Sequence, residues 1–72
     1  MNVVDKEIQK LQSNLQAIRK VAGWTTEELG EQIGVTKQTI SNLENRKTTM
    51  TKTQYIALRT VIDYEIVTNT EN

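Results

Sequence analysis

Two glycines set among regularly spaced apolar residues between 26 and 45 limit this chain more than any other feature. The run TEELGEQIGVTKQTISNLEN reads as two short helices joined by a turn of about three residues. Leu29 and Ile33 are four apart, which places them on one helical face. Gly30 beside them has no side chain, so another helix can come close there. Gly34 suits a left-handed stop for the first of the two helices, and Thr36 is a good N-cap for the second. Ile40 and Leu43 then point inward. Lys37, Gln38, Ser41, Asn42 and Asn45 are left on the outer face. Lys, Gln and Asn carried outward on a short helix match base edges and phosphates chemically.

The rest of the chain reads as further helix. Val4, Ile8, Leu11, Leu15, Ile18 and Ala22 recur at steps of four and three, and Gly23 can end that helix. Asp5 can cap or charge its first turn. Thr25 and Glu28 form a capping-box pattern for the next helix. Asn45 to Met50 is a polar loop, and Thr51 can cap a helix carrying Tyr55, Leu58 and Ile62 on one face. Helices are therefore expected near 5–22, 25–33, 36–45 and 51–65. The expected core is Leu15, Ile18, Leu29, Ile33, Val35, Ile40, Leu43, Leu58 and Ile62, with Trp24 at least half buried.

These residues resemble the lambda-repressor/Cro-like helix-turn-helix family, also called the XRE family. The resemblance runs from Leu15 to Ile62. It takes in LQAIRKVAGWT before the motif and LENRKTTMTKTQYIALRTVI after it. Gly23, Leu29, Gly30, Gly34, Val35, Ile40, Leu43, Glu44 and Lys47 all stand in family spacing. The competing reading is a generic helical domain that uses the same apolar pattern only as core. The resemblance implies an all-α, compact four- to five-helix DNA-binding domain at residues 13–66. Residues 1–12 form an N-terminal extension of the first helix, and 67–72 a polar tail. In the family the first helix begins near Leu15. The apolar residues of the extension, Val4, Ile8 and Leu11, are expected to pack on Tyr64, Ile66 and Val67 or against a second chain.

Functional positions follow from the same resemblance. Thr36, Lys37, Gln38 and Asn42 match positions that face base edges in the major groove, with Ser41 on the same outer surface. Asn45, Arg46, Lys47 and Thr49 match the loop that touches the sugar-phosphate backbone. Arg46 stands where many relatives have glycine. Thr26 replaces a frequent glutamine at the start of the second helix, where its hydroxyl and the helix N-terminus can meet a phosphate. Arg19 and Glu44 match a partly buried ion pair between the first and third helices. The competing role for Arg19 is a phosphate contact.

Composition bounds the function classes. The 72 residues make one small domain, which needs good packing or a partner to be stable. With no cysteine there is no disulfide framework or thiolate metal site, so a reducing compartment is allowed. The lack of histidine removes the commonest general base and metal ligand, and no spacing of carboxylates or lysine suggests catalysis. No cofactor, metal or small-molecule ligand is expected. No apolar run approaches a membrane span, and the N-terminus lacks a signal-peptide core. A cytoplasmic place on the nucleoid of a prokaryote or phage fits these traits. Net charge is zero, yet residues 36–60 hold Lys37, Arg46, Lys47, Lys52 and Arg59 against Glu44 alone, a surplus of four positive charges. A basic patch on a neutral domain is enough to bind phosphates.

The expected function is a sequence-specific regulator of transcription, a repressor, bound to double-stranded DNA. One short helix reads too few base pairs to select one site in a genome. A homodimer on an inverted-repeat operator is therefore expected, with half-sites about one helical turn apart. The alternative from another class is a protein-interaction module, such as the antitoxin of a toxin–antitoxin pair, for which the apolar extension would be the docking feature.

Overall fold

The structure, a computed structural model, describes residues 2–70. It contains four helices and, among the described residues, no strand. They are α1 (Val3–Ala22), α2 (Thr26–Ile33), α3 (Lys37–Glu44) and α4 (Lys52–Thr70). The chain is thus all-α, as its periodicity requires.

Local hydrogen bonds fix where each helix starts. Asn2, rather than Asp5, caps α1: its Oδ1 accepts from the Asp5 amide at 2.9 Å, and Asp5 charges the first turn. Thr25 and Glu28 form the expected capping box on α2. Thr36 Oγ1 accepts from the Thr39 amide at the start of α3. Thr51 and Gln54 exchange side-chain and backbone bonds of 3.1 and 2.9 Å before α4. Each cap satisfies amides that have no partner within the helix.

Gly34 ends α2 at φ 77°, a left-handed conformation that costs other residues steric strain. The three-residue turn Gly34–Thr36 then drops the chain into α3. Gly30 permits this geometry, because a Cβ there would lie 2.6 Å from the Val35 carbonyl oxygen. The helix backbone and the turn therefore pack directly on each other.

One core joins all four helices and the loop before α4. Ile8, Leu11, Leu15, Leu29, Ile40, Leu43, Met50, Leu58 and Ile62 are buried. Ile18, Ile33 and Val35, expected inside, pack against this cluster but stay partly exposed, while Trp24 is more than half buried against it, as expected. Ile8, Leu11 and Met50 are buried in addition to the expected residues.

Ile8 and Leu11 do not pack on Tyr64, Ile66 and Val67, all of which are exposed. The reason lies in helix direction. α1 and α4 run side by side in the same sense, so Leu11 lies beside Tyr55 and Arg59. Val21 lies beside Ile66 at the other end. The extension thus meets the start of α4, while Tyr64 to Val67 belong to its end. α4 also runs on to Thr70, past the expected end near 65. No glycine or proline follows Thr51, and nothing in the polar residues 68–70 forces a stop. Residues 71 and 72 of the expected tail lie outside the described residues.

Candidate nucleic-acid interface

The eight residues of α3 are too few to hold a helix on their own, so its orientation comes from what grips it. Ile40 and Leu43 have no solvent exposure and fix its inner face in the core. A second grip is ionic. Arg19 Nε donates to Glu44 Oε2 at 2.6 Å, and Nη2 to Oε1 at 3.1 Å. Nη1 donates to the Trp24 carbonyl at 2.9 Å. The two side chains keep 11% and 4% of their exposure. Planar two-point pairing of this kind is geometrically specific, and it ties the last turn of α3 to α1. The hydrogen bond to Glu44, opposed by burial and aided by the Glu44 charge, raises the proton affinity of the Arg19 guanidinium above the ordinary arginine value. Arg19 is therefore committed to Glu44, with only a small edge of its side chain left to solvent.

The outer face of α3 is exposed. Lys37 and Gln38 are exposed in the first turn, and Asn42 is half-buried one turn later. Gln38 Nε2 donates to Asn42 Oδ1 at 2.9 Å, which links the two amides into one unit. That bond leaves Gln38 Oε1 as an acceptor and Asn42 Nδ2 as a donor. Such a pair suits a base edge that offers both functions. Asn45 Nδ2 donates to Ser41 Oγ at 3.3 Å beside them. Thr36 lies at the tip of the same surface, where its hydroxyl serves the cap and sits 3.2 Å from Thr39 Oγ1.

The candidate phosphate contacts border this face. Asn45, Arg46, Lys47 and Thr49 are exposed in the loop after α3, and Thr26 is half-buried in the first turn of α2. Glu44 is occupied by Arg19, so Lys37, Arg46 and Lys47 set the sign of charge here. Arg46 sits at φ 58°, the left-handed conformation that explains why glycine is favoured at this place. Its Nη2 hydrogen-bonds Ser13 Oγ on α1.

Sequence reasoning missed Gln12. It is buried, and its amide bonds the backbone on both sides of the 45–49 loop. The available signal was a glutamine on the inward stripe of α1, four residues after Ile8 and three before Leu15. A polar side chain at such a place needs backbone partners.

No described helix is long and apolar enough to cross a membrane. Among the described residues no cluster of three or more acidic side chains could hold a metal ion. A family model described as helix-turn-helix matches residues 15–67. No curated protein and no solved structure gives a match. The matched span covers all of α2 and α3, most of α4 and the second part of α1 from Leu15 on. The chain belongs to the lambda-repressor/Cro-like helix-turn-helix family (the XRE family), a family of DNA-binding regulators of transcription.

Proposed function

We propose that this chain is a repressor that binds an inverted-repeat operator as a two-fold symmetric homodimer. α3 lies in the major groove. Gln38 and Asn42 read base edges, with Thr36, Lys37 and Ser41 around them. Thr26, Asn45, Arg46, Lys47 and Thr49 hold the sugar-phosphate backbone. The observation that carries this reading is the linked Gln38–Asn42 pair, exposed on a helix whose opposite side is locked by Leu43 and by Glu44 on Arg19. Pre-placed donors and acceptors on a fixed helix are what base discrimination needs. Repression requires no more of such a protein than occupancy of its site.

The dimer contact is assigned to α4, which is apolar on more than one side. Leu58 and Ile62 face the core, while Ile56, Tyr64, Ile66 and Val67 are exposed. A helix with apolar residues all round asks for burial on both sides. The apolar extension, which would have supported an antitoxin-like interaction module, turns inward at Ile8 and Leu11. Those two residues support the fold, while Val3 and Val4 stay exposed.

Selection of binding sites from random duplex DNA tests the proposal. The expected product is an inverted repeat with half-sites about one turn, or ten base pairs, apart. A selected site without an inverted repeat contradicts the dimer. No selected consensus at all would remove sequence reading and return weight to the interaction module.

A further inference from the structure

Gln12 is a buried polar side chain whose partners lie in the last turn of α3 and in the segment that follows it. Its Nε2 donates to the Leu43 carbonyl at 3.0 Å and to the Thr48 carbonyl at 2.7 Å. Its Oε1 accepts from the Met50 amide at 3.0 Å. Both donors and one acceptor site are engaged, and they bracket the 45–49 loop from its two ends. The next residue acts on the middle of the loop. Ser13 Oγ donates to the Gln9 carbonyl at 2.8 Å and accepts from Arg46 Nη2. Arg46 itself holds a left-handed backbone, φ 58°, which a side-chain-bearing residue keeps only when its surroundings impose it. One turn of α1 therefore fixes the shape of an exposed loop that lies more than 30 residues away in sequence.

We propose that Gln12 is a positioning residue for DNA binding. It holds residues 45–50 in the one shape that presents Asn45, Lys47 and Thr49 to the sugar-phosphate backbone, and it touches no DNA itself. The inference rests on the reading of this loop as a phosphate contact. Ordering the loop before binding removes an entropic cost that would otherwise fall on the complex. Gln12 precedes the family-matched residues 15–67, so this support comes from the chain's own first turns.

The test compares the wild-type chain with Gln12→Met, which keeps the length of the side chain and removes its hydrogen bonds. Both are titrated with a random-sequence duplex over a series of salt concentrations, at a temperature where circular dichroism shows both fully folded. The variant should bind about tenfold more weakly near 0.1 M salt, with a salt slope shallower by about one unit, as expected for one lost phosphate contact. Amide exchange at Lys47 and Met50 should quicken in the variant. A folded variant with wild-type affinity and slope overturns the positioning role, whatever its melting temperature. Should Gln12→Met not fold, the same titrations are run on both chains in trimethylamine N-oxide, which favours the compact state. If wild type fails to bind the duplex even at the lowest salt, the phosphate-contact reading of the loop falls instead.

Discussion

The two faces of α3 carry opposite burdens within eight residues. Ile40 and Leu43 are fully buried on one side, whereas Lys37 and Gln38 are exposed on the other. Without its inner face this helix would have no stable direction, because a segment so short is marginal in water. Without its outer face it would be an ordinary core helix. On the proposed reading folding constrains one set of residues and DNA recognition the other, so the two properties should respond to different substitutions.

The largest effect expected is on the inner face. Leu43→Ala should cost roughly 2–5 kcal/mol, from lost burial and the cavity left behind. In a domain this small that is a large share of total stability. Chemical denaturation measures it, and a cost below about 1 kcal/mol would show that the inner face does not anchor α3. Glu44→Ala comes next, at about 3 kcal/mol, because it leaves the Arg19 guanidinium with no carboxylate. The exposed edge of Arg19 holds this near the lower end of the range for buried pairs. Both variants should lose operator affinity only to the extent that they unfold. Residual loss in the fully folded protein would mean that the faces are coupled.

Gln38→Ala should leave the melting curve unchanged and cost about 1–3 kcal/mol on the selected operator, while barely altering binding to random duplex. Lys47→Ala supplies the contrast: it should weaken every sequence alike and lower the salt slope by about one unit. Equal losses on both duplexes for Gln38→Ala would remove α3 as the reader. The smallest effect belongs to Arg46→Gly. Relief of the left-handed strain should slightly exceed the entropy cost of glycine, a net gain of about 0.5 kcal/mol. The same change removes a cation, so stability should rise as binding to random duplex falls. A fall in both would give Arg46 a larger structural role through Ser13.

Local interactions were legible in the sequence and distant ones were not. The capping box of Thr25 and Glu28 and the caps at Thr36 and Thr51 involve residues three apart, and short spacing is what a sequence displays. Leu29, Ile40 and Leu43 were readable from their period for the same reason. The Arg19–Glu44 pair spans 25 residues and is visible only through family resemblance. Gln12 spans 31 to 38 residues to its partners, and no periodic signal encodes that distance. Met50 looks like a loop residue until α1 is extended far enough to cover it. The partner of Ile8 and Leu11 depended on whether α1 and α4 run in the same or opposite sense, which periodicity leaves open. The end of α4 was placed too early because Thr68, Asn69 and Thr70 are weak helix formers, not helix breakers.

The separations of these contacts also set an order of events. The closest pairing in the domain, α2 on α3 through Gly30 and the turn, closes a loop of only a few residues. The bonds from Arg19 and Gln12 to the far end of α3 must wait for segments 25 to 31 residues apart to meet. Loop-closure entropy makes the short contact the early one. The α2–α3 corner should therefore be largely formed in the folding transition state, and the clasp from α1 should form after it. Conservative changes in the corner should slow refolding, whereas loss of the Glu44 carboxylate should chiefly hasten unfolding. A chevron plot in which Glu44→Ala shifts the refolding limb would reverse that order.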